Sequence, residues 1–227
     1  MIKAVIFDMD GVMIDSEPVH LRLERELFKE LGVYITEEEH MTFVGSSSYY
    51  MWGKIKERFN LKESVEELVR RDRKRYLDHV LSTGEIIPVP GIQELVKKLF
   101  EREYKLAVAS SSPIDVIELV VQKLNLKNFF DMLVSGDYVK RSKPYPDIFL
   151  YTAEKLRVKP EECVVIEDSY NGVHAAKSAG MKVIGFVNPN SGNQDLSEAD
   201  FIVDSLGDTV LKIIDELSSK EDVKSIK

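Results

Sequence analysis

Cysteine is almost missing from this chain: Cys163 is the only one in 227 residues. No intrachain disulfide can form, which fits a reducing compartment. Positive charge is outweighed, with 31 Lys and Arg against 39 Asp and Glu and a formal net charge of −8. That balance argues against a general affinity for nucleic acid. It leaves an anionic small substrate open, because a site can be locally positive. Long apolar runs are missing too. None approaches the roughly 20 residues of a membrane span, and the first is broken at Asp8, too early for a signal peptide. Internal repeats and low-complexity blocks are also lacking. A cytoplasmic monomer is expected, with neither nucleic acid nor membrane as partner.

A hydrophobic content of 44% is that of a globular protein. The length allows one large domain, or one domain with a smaller insertion. Short, fully apolar runs recur: AVIF ends at Asp8, KLAVA at Ser110, and CVVI at Glu167 and Asp168, with MLVS, KVIGFV and FIV as further candidates. Such runs suit strands covered on both faces of a parallel sheet. Amphipathic segments lie between them. Ile114, Ile117, Val120, Val121 and Leu124 share one helical stripe, and NGVHAAKSAGM reads as a helix ended by Gly180. The alternation predicts a doubly wound, Rossmann-like α/β core. From residue 15 to residue 88 the patterns are helical throughout, and PVPG marks the return to strands. The expected division is a core of 1–14 and 89–227 with an inserted α-helical module of 15–88.

In open α/β sheets, ligands bind beyond the carboxyl ends of the strands. Asp8, Ser110, Glu167 and Asp168 all fall there, with Asp10 two residues past the first strand and Lys143 before a proline-bounded helix start. Two aspartates one residue apart repel and resist desolvation. A cation offsets that cost. Oxygen ligands alone favour Mg²⁺, and Mg²⁺ beside a lysine makes a phosphate the natural guest. Each residue also has a plain reading: Asp-x-Asp-Gly as a turn, Ser112 as the N-cap of the following helix, Ser169 as a cap, Lys143 as a solvated lysine.

DMDGV, VASSS, KPYPD and IEDSYNGVHAAKSAG, in this order, resemble the four motifs of the haloacid dehalogenase-like hydrolase superfamily. The resemblance spans the chain outside the inserted helices. It implies that Asp8 is the nucleophile forming an aspartyl-phosphate and that Asp10 is the general acid and then the base. It implies Mg²⁺ held by Asp8, the Asp10 carbonyl, Asp168 and Glu167, with Mn²⁺ or Co²⁺ as possible substitutes. Ser110, the Ser111 N–H and Lys143 would bind phosphate, and Gly11 would let the backbone turn closely around it.

The inserted helices resemble the cap of the branch holding β-phosphoglucomutase and sugar-phosphate phosphatases. A mutase of that branch carries Arg in a G-x-x-R pattern, whereas VGSSSYY places Gly45, Ser46, Ser47 and Ser48 there, without fixed charge. Lys54, Arg70, Arg71 or Lys74 are other candidate cap cations. His20, on the first cap helix, is either a substrate contact or a surface histidine. Tyr49, Tyr50 and Trp52 fit either sugar stacking or cap packing, with packing favoured. An Mg²⁺-dependent phosphatase of phosphorylated sugars, of broad range, is the leading expectation. A β-phosphoglucomutase and a non-enzymatic phospho-acceptor are the alternatives.

Overall fold

Strand β1, Ala4–Phe7, is apolar and buried along its whole length, as a central strand of a parallel sheet must be. It pairs on one side with β2, Lys105–Ser110, and on the other with β4, Cys163–Glu167. The computed structural model describes residues 1–43 and 48–219. Gly45, Ser46 and Ser47 lie outside the described residues, as does the charged tail after Ser219. The described chain divides into two compact units, Met1–Asp15 with Ile87–Lys227, and Ser16–Ile86.

In the first unit, β3 (Met132–Ser135), β5 (Lys182–Phe186) and β6 (Phe201–Val203) complete a six-stranded, all-parallel sheet of order β3-β2-β1-β4-β5-β6. This is a doubly wound, Rossmann-type α/β fold. Ala4, Ile6, Ala107, Ala109, Cys163 and Val165 face one side and pack beneath α7 (Asp147–Leu156) and α8 (Tyr170–Ser178). Alternation sends Val5 and Phe7 to the other side. Helices α5 (Ile92–Glu101), α6 (Ile114–Lys123) and α9 (Asp208–Ser219) contact β2, β3 and β6 respectively. Phe7 registers with Val108 and with Ile166. The residues that follow on three adjacent strands therefore leave the sheet side by side.

The second unit contains α1 (Glu17–Glu30), α2 (Glu37–Met41), α3 (Ser48–Phe59) and α4 (Val65–Thr83). Thr36 caps α2 by accepting from Glu39 N–H, and Ser64 forms a reciprocal capping box with Glu67. Gly84 closes α4 at φ +67°, where a side chain would be strained. Leu27, Phe28, Met51, Trp52, Ile55 and Leu68 form its core. Burying such side chains contributes about 1.5–3 kcal/mol each. Exposed pairs such as Arg75–Glu30, at 2.6 Å, contribute at most about 1 kcal/mol. Packing therefore holds this unit.

The basic run 70–75 is interrupted by an acid. Asp72 is buried and accepts from Trp52 Nε1 at 3.0 Å. Trp52 is itself fully buried, while Tyr49 and Tyr50 are exposed. His40, which has no metal-ligand spacing, is buried and lies 2.6 Å from Glu24.

Candidate active site

Three chain segments converge at the carboxyl edge of the sheet. Asp8 follows β1, Glu167 ends β4, Asp168 comes next, and Lys143 reaches in from the loop before α7. The Lys143 ammonium donates to Asp8 Oδ1 at 2.5 Å, to Glu167 Oε1 at 2.7 Å and to the Ala109 carbonyl at 3.2 Å. It also lies 5.1 Å from the centre of the Phe149 ring. Its side chain is only 8% exposed, which excludes the solvated reading. Oxygens of Asp8, Glu167 and Asp168 all lie within 4.8 Å of one another.

Three buried carboxylates against one ammonium leave a formal excess of two negative charges. From the side chains alone, burial pushes Asp8 up to about 7; Lys143 pulls it down, and Glu167 and Asp10 add repulsion. Burial likewise raises Asp168 well above the usual carboxylate range, with Glu167 and Asp8 adding to it. Burial works against the Lys143 ammonium, but Asp8 and Glu167 outweigh it and its pKa rises. An oxygen-only donor set with that charge deficit fits a hard divalent cation, which would ionise the acids it binds.

Two glycines make room for these acids. A Cβ on Gly11, at φ +81°, would stand 1.8 Å from Asp168 Oδ2. A Cβ on Gly172 would stand 1.6 Å from Glu167 Oε1. Glu167 Oε2 accepts from both the N–H and the hydroxyl of Ser169, whose own oxygen caps α8 by accepting from Gly172 N–H. Ser169 thus caps, as its plain reading held.

Ser112 does not. Pro113 occupies the N-cap of α6, and the Ser112 hydroxyl instead donates to Asp10 Oδ2 at 2.9 Å. Ser110 is buried. Its oxygen accepts from Ser112 N–H at 3.0 Å and sits 3.5 Å from the same Asp10 oxygen. Ser111 is exposed. The structure thus brings Asp8, Asp10, Ser110, Lys143, Glu167 and Asp168 together at one end of the sheet. His20 and Ser48 belong to the second unit, where His20 stacks on Tyr76 with ring centres 4.1 Å apart and Ser48 opens α3.

Sequence reasoning missed Ser112 in its role at Asp10, and it missed Asn188 and Ser191. The last two sit in NPNSGNQ beyond β5, and each bonds to a site segment. A polar turn just past the carboxyl end of a parallel strand was the available signal.

The sequence profile of haloacid dehalogenase-like hydrolases matches residues 5–186. The phosphorylated carbohydrates phosphatase of Thermotoga maritima is 34% identical over 219 residues, covering 95% of this chain and 99% of that protein. Hexitol phosphatase B of Escherichia coli K12 is 34% identical over 223 residues, covering 97% and 96%. The crystal structure of β-phosphoglucomutase from Clostridium difficile superposes with a TM-score of 0.80 at 28% identity, over 98% of this chain and all of that one. The chain belongs to the haloacid dehalogenase-like hydrolase family.

Proposed function

We propose that this chain is an Mg²⁺-dependent phosphatase that hydrolyses phosphorylated carbohydrates through an aspartyl-phosphate on Asp8. That it is a phosphoric monoester hydrolase follows from the family and from the phosphatases it resembles over nearly its whole length. The carbohydrate class rests on the names of those two relatives. The observation that carries the chemistry is the buried trio Asp8, Glu167 and Asp168, bridged by Lys143.

Asp8, Asp168, Glu167 and the Asp10 carbonyl would hold Mg²⁺, which supplies Lewis-acid charge neutralisation at the phosphoryl group. Lys143 fixes one oxygen of Asp8, so the carboxylate meets phosphorus in one orientation. An Asp8 oxygen bonds to phosphorus as the ester P–O bond breaks. Asp10, held by Ser112, gives its proton to the departing alkoxide. Asp10 then takes a proton from water as that water attacks the aspartyl-phosphate, releasing phosphate and restoring Asp8. Positioned proton transfer of this kind contributes about 10²–10⁴ in rate. Ser110, Ser111 N–H and Lys143 are the phosphate-binding groups.

A mutase reading is supported by the likeness to the Clostridium difficile enzyme. Against it stands Ser48, a neutral residue where the mutase pattern carries arginine. A phospho-acceptor without turnover is set aside by membership of a hydrolase family.

The deciding experiment is a phosphate-release screen over hexose, hexitol and pentose phosphates, with nucleotides and phosphoglycolate as contrasts. Release from the sugar phosphates, lost in EDTA and in Asp8→Asn, is expected. Glucose 6-phosphate formed from the 1-phosphate with little free phosphate would instead establish the mutase. A normal rate in Asp8→Asn would end the mechanism.

A further inference from the structure

One loop, 188–191, beyond β5, touches three parts of the site region through three side chains. Asn188 Nδ2 donates to the Gly11 carbonyl at 2.8 Å, across 177 residues of sequence. Asn190 Nδ2 donates to Asp15 Oδ2 at 2.6 Å. The Ser191 hydroxyl makes a short hydrogen bond to Asp168 Oδ2. The loop is braced internally, because Asn190 N–H donates to Asn188 Oδ1 at 2.8 Å and Gln194 Nε2 donates to the Ser191 carbonyl at 2.9 Å. Asn188 and Ser191 are 6% and 7% exposed, so both are buried polar residues with dedicated partners.

Burying a hydroxyl or an amide costs free energy that is recovered only through good hydrogen bonds. Here both are buried against the groups that define the acid cluster. The packing is tight enough that a Cβ on Gly11 would meet both Asp168 Oδ2 and Ser191 Oγ, the latter at 2.9 Å. An ionised Asp168 can only accept, so the serine must donate. That bond restricts the rotation of the carboxylate and so fixes the direction in which its oxygens face a cation.

We propose that Ser191 is a positioning residue for the metal site, orienting Asp168 as a ligand, with Asn188 holding the Gly11 turn against it. The proposal rests on the reading of Asp8, Glu167 and Asp168 as metal ligands.

The test is direct binding of Mn²⁺ to the EDTA-stripped full chain, followed by the EPR signal of free Mn²⁺. Ser191→Ala is expected to weaken binding about 10–100-fold, and Ser191→Thr, which keeps the hydroxyl, to stay within about threefold of wild type. Melting curves in EDTA report whether each variant folds. If Ser191→Ala does not fold, Ser191→Cys, similar in size but a weak donor, replaces it and is expected to bind Mn²⁺ more weakly than wild type. Wild-type affinity in the Ala or Cys variant overturns the proposal. So does an equal loss in the Thr variant, which would make the role one of packing. If wild type binds Mn²⁺ and Asp168→Asn does not, the ligand reading stands whatever Ser191 does. If wild type binds none, both readings fall.

Discussion

Lys143 Nζ stands 2.5 Å from Oδ1 of Asp8, a residue 135 positions earlier in the chain, with both side chains at most 10% exposed. Glu167, 1% exposed, completes the bridge at 2.7 Å. Removing the cation strands two buried acids. Lys143→Met is therefore expected to lower stability by about 3–5 kcal/mol in metal-free buffer at pH 8, read from urea melts, besides abolishing turnover. Lys143→Arg is expected not to restore activity, since a planar fork does not fit a point-charge position. A melt unchanged in Lys143→Met would mean that the bridge is not formed.

Alanine usually stabilises a helix over glycine by about 1 kcal/mol. At Gly172 in α8 the sign is expected to reverse, because the new Cβ would collide with Glu167. Gly53 in α3 has nothing within 4 Å of the same position and is the control. Gly172→Ala should lose stability and phosphate release, while Gly53→Ala should gain stability. Two variants shifting in the same direction in a urea melt would contradict this.

Glu24 and His40 form a buried pair whose proton count sets a pH dependence. Burial, then Asp72, pushes Glu24 up to about 8, with His20 opposing. Burial, then Arg25, pulls His40 down to about 4. Unfolded, the two titrate near 4.5 and 6.5. Between those values the folded and unfolded states each hold one proton on this pair, so its contribution is flat. Above 6.5 only the folded pair keeps a proton, up to about 8. Stability should therefore fall as pH rises from about 6.5 to about 8, by about 2 kcal/mol. Glu24→Gln should remove that slope in urea melts taken across the range. Parallel profiles for the two proteins would refute it.

Trp52 Nε1 supplies a hydrogen bond to Asp72, which is 4% exposed. Trp52→Phe is expected to cost about 1–3 kcal/mol, because it leaves a buried acceptor unpaired. Replacing both residues, as Trp52→Phe with Asp72→Leu, should recover much of that loss. A double variant as unstable as the sum of the two singles would argue that the bond carries little.

Much of the sheet was legible because buried parallel strands are short, apolar runs that end where chemistry begins. Asp8, Ser110, Glu167 and Asp168 were found as strand-end residues, and Lys143 by its proline-flanked loop. Ser112 was misread as a cap. A serine directly before Pro-Ile looks local, yet its hydroxyl reaches Asp10, 102 residues away. Asp72 was hidden for a related reason: amid five basic residues it reads as surface, and only the packing of α3 against α4 buries it under Trp52.

By itself, the sequence determined the order of strands and helices, the polarity of each segment and the acids delivered to one sheet edge. These follow from local period and composition, which act over a few residues. Only the tertiary structure decided who meets whom: Lys143 between Asp8 and Glu167, Ser191 on Asp168, Asn188 on Gly11, Glu24 on His40. Hydrogen-bond partners are set by strand register and loop path, and those emerge when distant segments pack together.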